Sequence, residues 1–167
     1  MPPSRPPTSR PTSTVSRDGL LCALPTSSTS CGDSVRFWAL EALTQADLDL
    51  ERLAVAFPTV DPSTVPVHAA SRWFRLFWGK RISAVAMPWG IHVHPDRLER
   101  PAAEVGRLIV HELAHIDQWR RLGATGWARA YVGDYISGRR SGLGHHDAYR
   151  AVGLEKEARD VAARLGG

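Results

Sequence analysis

Cysteine is scarce in this 167-residue chain: there are two, Cys22 and Cys31, both in a Ser/Thr/Pro-rich stretch. Neither a disulfide framework nor a cysteine-based zinc site can be assembled from them. Long apolar runs are missing too. The longest near the N-terminus is Leu20-Leu21-Cys22-Ala23-Leu24, whereas a secretory signal core takes about 7–15 apolar residues and a membrane helix about 20. The expectation is a soluble cytoplasmic chain with no membrane partner, with signal-less export left open. Also missing is any run of Lys/Arg interleaved with aromatics that would mark a nucleic-acid groove. The formal net charge of +4 comes partly from tail arginines (Arg5, Arg10, Arg17). A solvated basic surface and no specific nucleic-acid partner follow, and a DNA-associated protease has only this charge in its favour.

What is present is an ordinary globular balance, 43% hydrophobic and 23% charged, enough for one domain. Residues 1–34 are dominated by Pro, Ser, Thr and Arg, a composition that buries too little apolar surface to offset its ordering entropy. They read as a disordered tail ahead of a domain over 35–167. Phe37, Trp38, Leu40 and Leu43 suggest a short helical or irregular start. Thr44 reads as an N-cap, with Asp47 three residues on, for a helix carrying Leu48, Leu50, Leu53 and Val55 and ended by Pro58 and Pro62. Val65–His68 reads as a strand, the aromatic stretch Ala69–Phe77 is ambiguous, and Ile82–Met87 with Ile91–His94 reads as a hairpin turned by Pro88-Trp89-Gly90.

The clearest helix follows. Pro101 suits a first helical position, Glu104 the positive end of the helix dipole, and Gly123 a C-cap. Val105, Leu108, Ile109, Ile116 and Trp119 share its apolar face on a 3.6-residue period. A second helix is expected from about Ala124 to Ile136, then the loop SGRRSGLG, then a terminal helix over Ala148–Leu165, with an interruption at Gly153 and an apolar stripe of Leu154, Ala158, Val161 and Leu165.

The chemistry lies in His111-Glu112-Leu113-Ala114-His115, an HExxH motif inside the clearest helix. Residues i and i+4 stack on one helix face, so two imidazoles at that spacing can share one Zn²⁺ at about 2.0–2.1 Å. Glu112, rotated about 100° away, does not compete as a ligand and can instead serve as general base toward a water activated by the metal. A catalytic zinc site takes a third protein ligand and keeps an open position. The extended HExxHxxGxxH form is absent, because Arg121 stands where its third histidine would be. Candidates for the third ligand are Glu155, Glu157, His145, His146, Asp147 and Asp160. Glu155 is preferred: Ala151, Ala158 and Ala162 flank it and permit close helix packing, whereas Glu157 is flanked by Asp160 and Arg164. His145-His146 reads as a solvated loop pair. His92 and His94 alternate on one strand face near the cleft. Tyr131, Tyr135 and Tyr149 are candidate donors to a developing oxyanion, with nothing to choose between them.

Glu155-Lys156-Glu157-Ala158, some forty residues after HExxH, is similar to the ExxA context of the gluzincin class, with Arg159 where that class often has Asp or Asn. More closely, Val65–His68, the GIHVHPDRL segment over 90–98 and LIVHELAHIDQW over 108–119, including Gln118, resemble the metallopeptidase domain found in cargo proteins of bacterial extracellular contractile injection systems. Trp119 stands where that family usually has a second glutamine. The resemblance covers roughly residues 60–120 and the terminal helix. It implies an α+β, mainly helical zincin-like fold with a small hairpin or sheet beside the HExxH helix, a Zn²⁺ cofactor, His111, His115 and Glu155 as metal ligands, and Glu112 as catalytic base. The expected function is a zinc-dependent metallopeptidase whose peptide or protein substrate lies along Ile91–His94 by strand addition. The alternative is a non-catalytic zinc-binding interaction or toxin-cargo module, closed by a fourth ligand such as His145 or His146.

Overall fold

The computed structural model describes residues 35–71 and 82–166. The Pro/Ser/Thr-rich tail, residues 72–81 (which include most of the ambiguous Ala69–Phe77 stretch) and the last glycine lie outside them. The described residues form an α+β fold in which helices pack on a four-stranded sheet.

Both runs of the expected hairpin become strands, β3 (Ala84–Met87) and β4 (Gly90–Val93), paired antiparallel with Val85 opposite His92 and Ala86 opposite Ile91. The Val65–His68 run supplies β2 (Pro66–Ala69), which runs parallel to β4 with Val67 beside Ile91. On the far side of β2 lies β1 (Val35–Trp38), antiparallel to it, where sequence pattern suggested a helical or irregular start. The order is β1-β2-β4-β3. Strand β4 is therefore interior, bonded on both sides, and cannot accept a peptide by edge addition as expected for Ile91–His94. Among the described residues the open edge nearest the HExxH helix belongs to β3. Strand periodicity reports which face a side chain takes, not which edge is left free.

Val67, Ile91 and Val93 are fully buried on one sheet face. Against them packs the long helix α4 (Ala102–Arg140) through Ile109, Val110, Leu113 and Ile116. Each such aliphatic side chain contributes about 1.5–3 kcal/mol by leaving water. Helix α1 (Ala39–Gln45) adds Ala39 and Leu43 to the same core. It approaches α4 so closely that a Cβ on Gly106 would lie 2.4 Å from the Cβ of Ala46.

Thr44 is not an N-cap. It lies inside α1 and its hydroxyl donates back to the Leu40 carbonyl at 2.8 Å. The following helix, α2 (Leu50–Ala56), is capped by Asp49, whose carboxylate accepts from the Glu51 and Arg52 amides at 3.1 and 3.0 Å. Asp47, read as part of the capping box, instead forms the turn with φ 55°. His94 leaves the strand: it is the N-cap of the short helix α3 (Pro95–Leu98), its Nδ1 accepting from the Asp96 amide.

Gly123 breaks α4 as expected of it, with φ 67° and ψ 169° in the middle of an otherwise helical run. The limb beyond it continues to Arg140, into the loop expected over 137–144. The terminal segment is divided into α5 (His145–Ala151) and α6 (Gly153–Leu165) by Val152, which is extended. The freed amide of Gly153 is satisfied by Asp134 Oδ2 at 2.8 Å. Ala158 and Ala162 of α6 are buried, which brings that helix close along the first limb of α4.

Candidate metal centre

His111 and His115 lie one turn apart on α4, and Glu155 lies in the first turn of α6. Burial of Ile109, Val110 and Leu113 orients the α4 face that carries the histidines, while the small residues of α6 let its carboxylate come near. The ligating atoms of His111, His115 and Glu155 all lie within 4.8 Å of one another, a group that can hold a metal ion. The two Nε2 atoms are 3.2 Å apart, and Glu155 lies 3.7 Å from His111 Nε2 and 3.6 Å from His115 Nε2. Four bonds of 2.0–2.1 Å in tetrahedral geometry set neighbouring donors about 3.3–3.4 Å apart. The donor set therefore fits one small cation with little rearrangement.

The proton positions also suit a cation. Gln118 is completely buried, and its amide nitrogen donates to the Leu154 carbonyl and to Glu157 Oε2, both at 2.9 Å. Its Oε1 therefore accepts, and the partner 2.9 Å away is His115 Nδ1. That bond places the ring proton on Nδ1 and leaves the Nε2 lone pair facing His111. The His111 ring is held neutral by its surroundings. Burial, then the neighbouring His115 and Arg159, bring its pKa from 6.5 down to about 4, against a backbone hydrogen bond at Ala158.

Glu112 is buried behind the histidines. Burial, reinforced by the Glu155 charge, raises its carboxyl pKa from 4.5 to about 8, opposed by a hydrogen bond from the backbone of Ala86 on β3. The general-base candidate and the open strand edge are thus in direct contact. Access is through His111, whose side chain is 20% exposed against 9% for His115 and 6% for Glu155. It faces a cavity of about 670 Å³.

The other candidates fall elsewhere. Glu157 is half-exposed and bonds Gln118 and Arg121, so its carboxylate belongs to a bridge between α4 and α6. Arg121, at the position of the extended motif's third histidine, completes that bridge with Asp117 Oδ2 at 2.6 Å and Glu157 Oε1 at 2.8 Å. The buried Asp117 also accepts from Thr59 at 2.6 Å. His145 pairs with Tyr135 at 2.8 Å, and exposed His146 faces Asp147 at 3.9 Å. Both lie in α5 rather than in a loop. Asp147 and Asp160 are exposed and outside the donor group. His92 does not face the cleft: it lies on the sheet face opposite Ile91 and Val93 and stacks on His68 at 5.0 Å.

The structure separates the three tyrosines. The Tyr149 hydroxyl hydrogen-bonds the Glu155 carboxylate and Tyr131 bonds Tyr149 in turn. Burial first, and then the Glu155 charge, push both phenols above their ordinary value, so both remain neutral donors. Tyr131 also ends a stack across the Gly123 break, with Trp119 on Trp127 at 4.4 Å and Trp127 on Tyr131 at 4.8 Å. Sequence pattern offers Gln118 only as a match to the family resemblance and Tyr149 only as one of three equal tyrosines, and assigns neither its partner in the site. The i+3 spacing of Gln118 from His115, on the buried side of the helix, was the available signal.

No family model matches the chain, and no curated protein or solved structure matches it.

Proposed function

We propose that the chain is a zinc-dependent metallopeptidase of gluzincin type, with His111, His115 and Glu155 holding Zn²⁺ and Glu112 as general base. The observation that carries this reading is the convergence of two imidazole nitrogens and one buried carboxylate beside a second carboxylate of raised proton affinity. Among the described residues no fourth protein donor joins the three. That favours an open catalytic position over a closed structural one, in which His145 or His146 would complete the shell.

Bound zinc supplies a Lewis acid that makes water nucleophilic near neutral pH and polarises a carbonyl. Glu112 would take the proton of the attacking water and return it to the leaving amine; burial raises its proton affinity, which favours uptake, and the charge of a bound zinc would keep it ionised before that uptake. The neutral Tyr149 hydroxyl, which donates to Glu155 in the metal-free site, would turn its proton to the carbonyl oxygen as negative charge develops there, once a metal occupies the Glu155 carboxylate. The substrate backbone adds to the open edge of β3, next to Ala86. Hydrolysis of a quenched peptide library checks the reading. Activity is expected to vanish with a chelator and return with Zn²⁺; hydrolysis indifferent to chelation contradicts it.

A further inference from the structure

The cavity that reaches His111 is strongly cationic. Among the described residues its walls carry Arg97 of α3, Arg100 just behind it, Arg107 of α4 and Arg159 of α6, against one carboxylate, Glu104. Two of these arginines are in register with the metal-binding residues. Arg107 is one turn before His111 on α4, and Arg159 one turn after Glu155 on α6, each on the same helix face as its ligand. Among the described residues Arg97, Arg100 and Arg159 are in no ion pair. Arg159 donates to the carbonyl of Arg150, a contact that orients its guanidinium without neutralising it, and Arg107 reaches the Gly166 carbonyl at 3.4 Å. The volume of about 670 Å³ suits several residues of an extended chain. Ser83, immediately before β3, lines the same cavity, so a peptide added to the β3 edge runs on into it.

We propose that this cavity selects a carboxylate-bearing peptide, with the arginines receiving an acidic side chain or the C-terminal carboxylate of the substrate next to the bond that is cut. Planar guanidinium groups bind carboxylates by paired hydrogen bonds. Among the described residues the remaining wall is Ser83 with the aliphatic Leu108, Ala162 and Ala163, and no Phe, Tyr or Trp lines it to stack a nucleobase. The proposal rests on the peptidase reading for its substrate backbone, but its binding test does not.

The full chain, zinc-loaded and carrying Glu112→Gln to prevent turnover, is titrated with dye-labelled Ala-Ala-Glu-Glu-Ala-Ala amide and with its Gln-Gln counterpart. The acidic peptide is expected to bind about tenfold tighter or more, with a preference that fades as salt rises. A free-acid Gln-Gln peptide that binds as tightly as the acidic amide assigns the carboxylate to the C-terminus instead. Arg97→Ala with Arg100→Ala should remove most of the preference while zinc content and far-UV circular dichroism stay unchanged. Equal affinity for the Gln-Gln amide and both carboxylate-bearing peptides overturns the proposal, as does stronger competition by inorganic phosphate or oligo-dT than by the acidic peptide. Preferential binding without cleavage by the wild type would remove the peptidase reading and leave this one standing; cleavage without carboxylate preference would do the reverse.

Discussion

His115 Nδ1 and Gln118 Oε1 lie 2.9 Å apart within one turn of α4, and the same Gln118 donates through its amide to Leu154 and Glu157 at the start of α6. One buried side chain thus sets the tautomer of a candidate metal ligand and anchors the helix that brings Glu155. Replacing Gln118 by Leu removes both functions and leaves the Leu154 carbonyl without that donor. Zinc affinity is expected to fall about 10–100-fold, the range seen for such orienting partners. Competition against a chelating dye measures it. Gln118→Glu, which keeps an acceptor for His115, should recover part of the loss, whereas a purely packing role predicts no recovery.

The neighbouring acidic pair offers a sharper contrast. Glu155 meets both imidazoles, while Glu157 is turned toward Gln118 and Arg121. Metal analysis of purified variants should therefore find zinc lost from Glu155→Ala and largely kept in Glu157→Ala. Zinc kept in the first and lost from the second would reassign the third ligand.

Gly106 sits in mid-helix, where alanine is ordinarily better by about 0.8–1 kcal/mol. Here the new Cβ would lie 2.4 Å from Ala46 Cβ, a backbone-anchored atom that cannot swing aside. Overpacking of this kind costs about 1–3 kcal/mol, so the clash outweighs the propensity gain. Gly106→Ala is expected to lower the denaturation midpoint in urea. An unchanged or raised midpoint would show that α1 can retreat from α4 at no cost.

Acid and base should act on the chelator-treated protein through different residues. The folded-state pKa of Glu112 is raised from 4.5 to about 8, so its contribution is fully present below 4.5 and is lost as pH rises through about 8. The His111 pKa is lowered from 6.5 to about 4, so its contribution is present above 6.5 and is lost as pH falls through about 4. Urea denaturation across this range should show metal-free Glu112→Gln without the alkaline loss of the wild type. A parallel alkaline decline in both proteins would assign that loss to other groups.

Much of the site was legible because its signals are local. The i, i+4 histidines, the small residues flanking Glu155 and the glycine at 123 depend on helix geometry and backbone sterics alone, and each reads directly from spacing. The α+β character and the β3–β4 hairpin followed from patterning of the same local kind. The misplaced features depended on partners distant in sequence. Thr44 and Asp49 both carry oxygens able to cap a helix, and tertiary packing decided which turn continued. The interior position of β4 was set by β2, more than twenty residues away. The pairing of Gln118 with α6, and of Tyr149 with Glu155, appears only once the terminal helices lie against α4.

The central claim is that a zinc ion held by His111, His115 and Glu155 works with Glu112 as the base. Its most direct test measures zinc stoichiometry and peptide hydrolysis together in the wild type and in Glu112→Gln. The account predicts one zinc per chain in both proteins and hydrolysis only in the wild type, with a loss of about 100-fold or more in the variant. Full hydrolysis by a zinc-loaded Glu112→Gln protein would contradict it.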